Sequence, residues 1–72
     1  MSFQAYLDNI ESKTGRSPTD LLALAEARGL VEGGRMKADV KAGQVIDWLK
    51  ADYDLGHGHA MAVVAYFNGK RD

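Results

Sequence analysis

Apolar residues recur along this chain at helical spacing. Phe3, Tyr6, Leu7 and Ile10 fall at i, i+3, i+4 and i+7, which is one face of an α-helix. Ser2 stands where a cap is needed, and Gly15 suits a left-handed helix end. A second start follows at Ser17-Pro18-Thr19-Asp20. Ser17 reads as the N-cap, Pro18 fits the first helical position, and Asp20 sits where a capping-box carboxylate belongs. Leu21, Leu22, Leu24 and Ala25 give that helix its apolar side. Gly29 ends it, with Leu30 folding back on the last turn. A third helix is expected from about Val40 or Lys41 to Asp52, with Val45, Ile46, Leu49 and Tyr53 inward and Trp48 beside them. Gly43 weakens its first turn by roughly 1 kcal/mol relative to Ala. The fourth begins at "GHGHA". Ala60, Val63, Val64 and Phe67 repeat the helical spacing, Met61 flanks them, and Asn68-Gly69 closes the helix.

The stretch from 31 to about 39 is the loosest, because Gly33-Gly34 interrupts any regular element. No segment alternates with period two for long enough to be a strand. The predicted fold is therefore all-α: one small domain over 1–72, a compact bundle of four short helices. The last two are joined by a Gly-His-Gly-His turn, with a loose loop at about 31–39 and a frayed tail at 69–72.

Composition narrows the function classes. A chain of 72 residues buries only about 60% of its unfolded surface, so its stability margin is small. Nine basic and ten acidic residues give a net charge of -1, evenly spread between the halves. No basic field announces nucleic acid, and no acidic tail announces a basic partner. With no cysteine, disulfides and thiolate-ligated zinc are excluded. No apolar run is long enough to span a membrane, and "MSFQAYLDNI" has neither the basic nor the apolar region of a signal peptide. A cytoplasmic location is expected.

The chain's only two histidines, His57 and His59, stand between glycines where the fourth helix begins. Neutral imidazoles bind zinc, copper or nickel, but two ligands are too few for a tight site. If residue 59 is already helical, the two rings diverge. Asp52 or Asp54 is the nearest third ligand. For catalysis, Ser2, Ser12 and Ser17 all lie in the N-terminal quarter and read as caps or surface residues, and nothing marks an acid/base pair. No enzyme activity and no cofactor are expected. The third reading is an anion contact. Gly56 and Gly58 allow positive φ and close approach, and the first amides of the following helix lack internal partners.

Helix, short turn, G-x-G-x-x-x-A, helix resembles the helix-hairpin-helix DNA-binding motif, with Gly56, Gly58 and Ala62 at its matching positions. That resemblance implies phosphate contacts from the two glycines and the amides after them. Two positions depart from it. His57 replaces the apolar residue that helps pack the hairpin, and Asp54-Leu55 replaces the usual Leu-Pro.

The wider pattern covers more. "SFQAYLDNIESKTGRSP", "LLALAEARGL" and "KAGQVIDWLKADYDLGHGHAMAVV" together resemble the uncharacterised bacterial family DUF4287, over roughly residues 2 to 67. "WLK" followed by "LGHGHA" is its most recognisable stretch. The resemblance implies a compact helical domain and brings no catalytic residue with it.

The leading expectation is a non-enzymatic interaction module. Gly56, His57, Gly58, His59 and Lys50 would receive a partner's carboxylate or phosphate, and Trp48, Met61 and Tyr66 are interface candidates. The partner would be an unidentified protein or a second copy of the chain. The alternatives are nucleic-acid backbone binding through a degenerate helix-hairpin-helix, and metal binding by His57 and His59. Lys70 and Arg71 are expected to complement the last helix's dipole, or to extend a phosphate contact at its far end.

Overall fold

The structure, a computed structural model, describes residues 2–70. Arg71 and Asp72, the end of the expected frayed tail, lie outside the described residues. Four helices carry the fold: α1 (Phe3–Thr14), α2 (Pro18–Ala27), α3 (Ala42–Tyr53) and α4 (His57–Phe67). An all-α bundle is what the apolar spacing predicts.

The first two helices begin as their caps dictate. The Ser2 hydroxyl accepts from the Ala5 N–H at 3.2 Å. Ser17 and Asp20 form the reciprocal box: the Asp20 N–H donates to the Ser17 hydroxyl at 3.1 Å, and the Ser17 N–H donates to the Asp20 carboxylate at 3.2 Å. Gly15 ends α1 at φ 72°. Arg28 caps α2, Gly29 turns left-handed at φ 78°, and the Leu30 N–H returns to the Ala25 carbonyl at 2.9 Å.

The segment 31–39 departs from expectation. It contains a short antiparallel hairpin, β1 (Val31–Glu32) and β2 (Arg35–Met36), with Val31 opposite Met36 and Glu32 opposite Arg35. Gly33 and Gly34 both take positive φ, 63° and 81°, as a two-residue primed turn requires. The pairing continues one step outward, because the Lys37 N–H donates to the Leu30 carbonyl at 3.2 Å. Val31 is buried at 1% exposure and pins the hairpin to the core. The glycine pair is thus the turn of a hairpin, not the middle of a loop.

The tail is also better tied than expected as far as Lys70. The Lys70 N–H donates to the Ala65 carbonyl at 3.0 Å, and its ammonium lies 5.3 Å from the centre of the Phe3 ring. Gly69 makes this return at φ 103°, beneath the Arg35 guanidinium.

One apolar cluster joins all these elements. It includes Leu7 and Ile10 of α1, Leu21 and Ala25 of α2, Val31 of β1, then Val45, Ile46, Trp48 and Leu49 of α3, Leu55 of the corner, and five residues of α4. Those five are Ala60, Ala62, Val63, Val64 and Phe67, which is more than one stripe. The helix is covered on several sides and packs on α3, α1 and α2. No side-chain polar atom is buried without a partner among the described residues.

Candidate functional site

The corner between α3 and α4 is three residues long: Asp54, Leu55 and Gly56. Asp54 takes the left-handed conformation that ends α3, at φ 54° and ψ 37°. Its N–H donates to the Leu49 carbonyl, and so does that of Leu55 at 3.4 Å. Leu55 then drops into the core at 2% exposure. Gly56 is the N-cap of α4, extended at φ -70°, and His57 is already the first helical residue.

This corrects the reading of the glycines. Neither Gly56 nor Gly58 adopts positive φ; Asp54 does. A Cβ built on either glycine meets nothing within 4 Å. Neither the backbone nor the packing of this chain therefore requires glycine at 56 or 58.

It also corrects the turn. Gly58 and both histidines belong to α4 rather than to the loop. Residues two apart on a helix point in different directions. His57 projects into solvent, whereas His59 is half-buried and meets Tyr6 of α1 edge to face, with ring centroids 5.3 Å apart at 74°. Their helical placement does not support a metal ion shared by the pair. No group of three or more His, Asp or Glu suited to an ion exists among the described residues.

The start of α4 differs from the other three. Ser2, Ser17 and the Gln44 side chain each bond an amide at their own helix start; Gln44 accepts from the Lys41 N–H at 2.8 Å. At the start of the fourth helix no side chain bonds an amide, and like α1 and α3 it has no acidic residue in its first turn. Its first internal bond runs from the Ala60 N–H to the Gly56 carbonyl at 2.9 Å. The amides of His57, Gly58 and His59 are left at the positive end of the helix dipole, beside the exposed surface of Gly56 and Gly58.

Residues 2–69 match the family described as a domain of unknown function, DUF4287. The chain belongs to that family. The match spans all four helices and the corner, so the DUF4287 assignment covers the candidate site as well as the scaffold. No curated protein and no solved structure matches the chain.

The remaining site candidates separate. Lys50 is exposed in the last turn of α3, just before the corner. Trp48 is a core residue at 6% exposure rather than a free anchor. It meets the Tyr53 ring edge to face at 5.6 Å, and the Arg28 guanidinium lies 5.8 Å from its ring centre. Met61 is the one exposed large apolar side chain among the described residues, at 43%, while Tyr66 is half-buried. Five positions along α4 place these two about 140° apart around its axis, so they do not share one face. His57 is exposed and does not take the packing role that the helix-hairpin-helix motif gives that position; Leu55 is the buried residue of the corner. No cavity opens among the described residues, and no helix is long and apolar enough to cross a membrane.

The Arg28–Trp48 contact, and that of the Arg16 guanidinium 5.9 Å from the Tyr53 ring centre, escape sequence reading. They join residues far apart in the chain, and no local spacing signals them.

Proposed function

We propose that this DUF4287 chain is a non-enzymatic interaction module that receives a carboxylate or phosphate of a partner at the N-terminus of α4. One observation carries this reading. The fourth helix starts without a side-chain cap, with glycines at its N-cap and second position that neither φ nor packing requires. A glycine that the fold does not need leaves its backbone open to close approach from outside. The amides of His57, Gly58 and His59 supply donors, and the helix dipole favours an anion there. His57, exposed on the first turn, adds an imidazole donor, and Lys50, exposed in the last turn of α3, adds a positive charge. Tyr6 holds His59 from the α1 side and keeps the first turn in place.

The net charge of -1 favours a protein partner over a nucleic acid, because long-range attraction to a polyanion is absent. The test is an amide NMR titration with inorganic phosphate, then with a short DNA duplex at two salt concentrations. Saturable phosphate shifts centred on residues 57 to 59, with little response to the duplex, support this reading. Stronger, salt-sensitive shifts with the duplex transfer the function to nucleic-acid binding. Stationary amides with both probes refute an anion site at this corner.

A further inference from the structure

We propose that Asn68 is a self-modifying site: its side-chain amide is lost by attack of the Gly69 nitrogen, and the isoaspartate formed releases the C-terminal return of α4. The site lies at the opposite end of α4 from the candidate anion contact, and the inference does not rest on the reading given there.

Asn68-Gly69 is the chain's single Asn-Gly pair. Asn68 is the C-cap of α4, at φ -91° and ψ 8°. Beyond it the chain folds back on the helix. The Gly69 N–H donates to the Tyr66 carbonyl and the Lys70 N–H to the Ala65 carbonyl, both at 3.0 Å. The same return ends α2. There the Gly29 N–H donates to the Glu26 carbonyl at 3.0 Å, the Leu30 N–H donates to the Ala25 carbonyl at 2.9 Å, and Arg28 is the cap. The backbone geometry therefore works without an asparagine at the cap. The Asn68 side chain is exposed.

The chemistry needs only these two residues and water. The Gly69 N–H gives its proton to hydroxide, and the nitrogen forms a bond to Asn68 Cγ. The Cγ–Nδ2 bond breaks, and the nitrogen leaves as ammonia with a proton from water. The cyclic imide that results takes up one water. Opening at one carbonyl gives aspartate; opening at the other gives isoaspartate, whose main chain runs through the former side chain. One water enters in sum and one ammonia leaves, with no oxidant or reductant. Glycine favours the attack because no Cβ hinders its nitrogen.

In the closed return the Gly69 nitrogen is bonded to Tyr66, so the reaction runs when the last turn opens. Helix ends open at small free-energy cost. Residues 68 to 70 are all exposed, so opening them uncovers no core residue. The Arg35 guanidinium lies 3.5 Å from the position a Cβ would take on Gly69, and a cation there stabilises the nitrogen anion on the path. Once formed, isoaspartate lengthens the main chain by one methylene. The amides of Gly69 and Lys70 then fall out of register with their carbonyls. The new carboxylate also stands at the negative end of the α4 dipole. Lys70, whose ammonium lies 5.3 Å from the Phe3 ring centre, is thereby freed from α1.

The experiment incubates the intact chain at mildly alkaline pH beside a synthetic peptide of residues 65–70. An acidic form accumulates in both and maps to Asn68 by peptide mass spectrometry. The chain converts about tenfold more slowly than the peptide, because its last turn must open first. Asn9, the other asparagine, precedes β-branched Ile10 within α1 and stays intact. Asn68→Ser gives no acidic form. The isoaspartate form, isolated by ion exchange, loses hydrogen-exchange protection at the Lys70 amide. Asn68→Asp, which carries the charge without the longer main chain, retains it. An unmodified chain when the peptide has fully converted, modification at Asn9 instead, or a Lys70 amide as protected in the isoaspartate form as in the parent overturns the inference.

Discussion

Tyr6 of α1 and His59 of α4 meet edge to face with their ring centroids 5.3 Å apart, while His57, two residues earlier, faces solvent. The two histidines of one short motif thus have different jobs, one structural and one available to a ligand. His59→Ala removes an aromatic contact across the α1–α4 interface and is expected to cost about 1 kcal/mol. His57→Ala should change stability by less than about 0.5 kcal/mol, as for ordinary surface positions. Urea unfolding of both variants checks this. Equal losses would mean that the stacking contributes nothing.

Asp54 occupies a left-handed position where a Cβ is strained. Replacing it with glycine relieves that strain at the end of α3, so Asp54→Gly should stabilise the chain by roughly 0.5–1 kcal/mol. Asp54→Val, β-branched at the same φ, should destabilise it. Thermal melts of the pair decide. A loss of stability in Asp54→Gly would show that the aspartate side chain contributes more than its backbone costs.

The hairpin makes a sharper distinction between neighbouring glycines. Asn is tolerated at the first position of a primed turn, so Gly33→Asn should be close to neutral. Gly34→Val forces a β-branched residue to φ 81° and should cost about 1–2 kcal/mol. Unfolding midpoints together with the amide shift of Val31 test this, since Val31 anchors the hairpin in the core.

These cases also mark what the sequence made legible. The caps at Ser2 and Ser17-Pro18-Asp20 and the ends at Gly15 and Gly29 act within one helical turn, so their meaning is local and the structure bears them out. The Ala60, Val63, Val64 and Phe67 stripe was equally plain, because burial repeats with the helix. The hairpin was missed because two residues per strand cannot display a period of two. Its available signal was the Gly-Gly pair flanked by Val31 and Met36. At the candidate site, the residue types were visible but the helix boundary was not. A shift of one or two residues moves His57 and Gly58 from loop to helix and hands the left-handed position to Asp54. The contacts of Arg16 with Tyr53 and of Arg28 with Trp48 are purely tertiary.

The most direct test of the α4 reading is Gly56→Asp, followed by thermal unfolding and by phosphate titration of the amides at 57 to 59. An aspartate at the N-cap supplies internally the acceptor that a partner would otherwise bring. The expected result is a gain of about 1 kcal/mol in stability, together with loss of the phosphate-induced shifts. A variant that is no more stable, or that answers phosphate as the parent chain does, would contradict an anion-receiving end on α4.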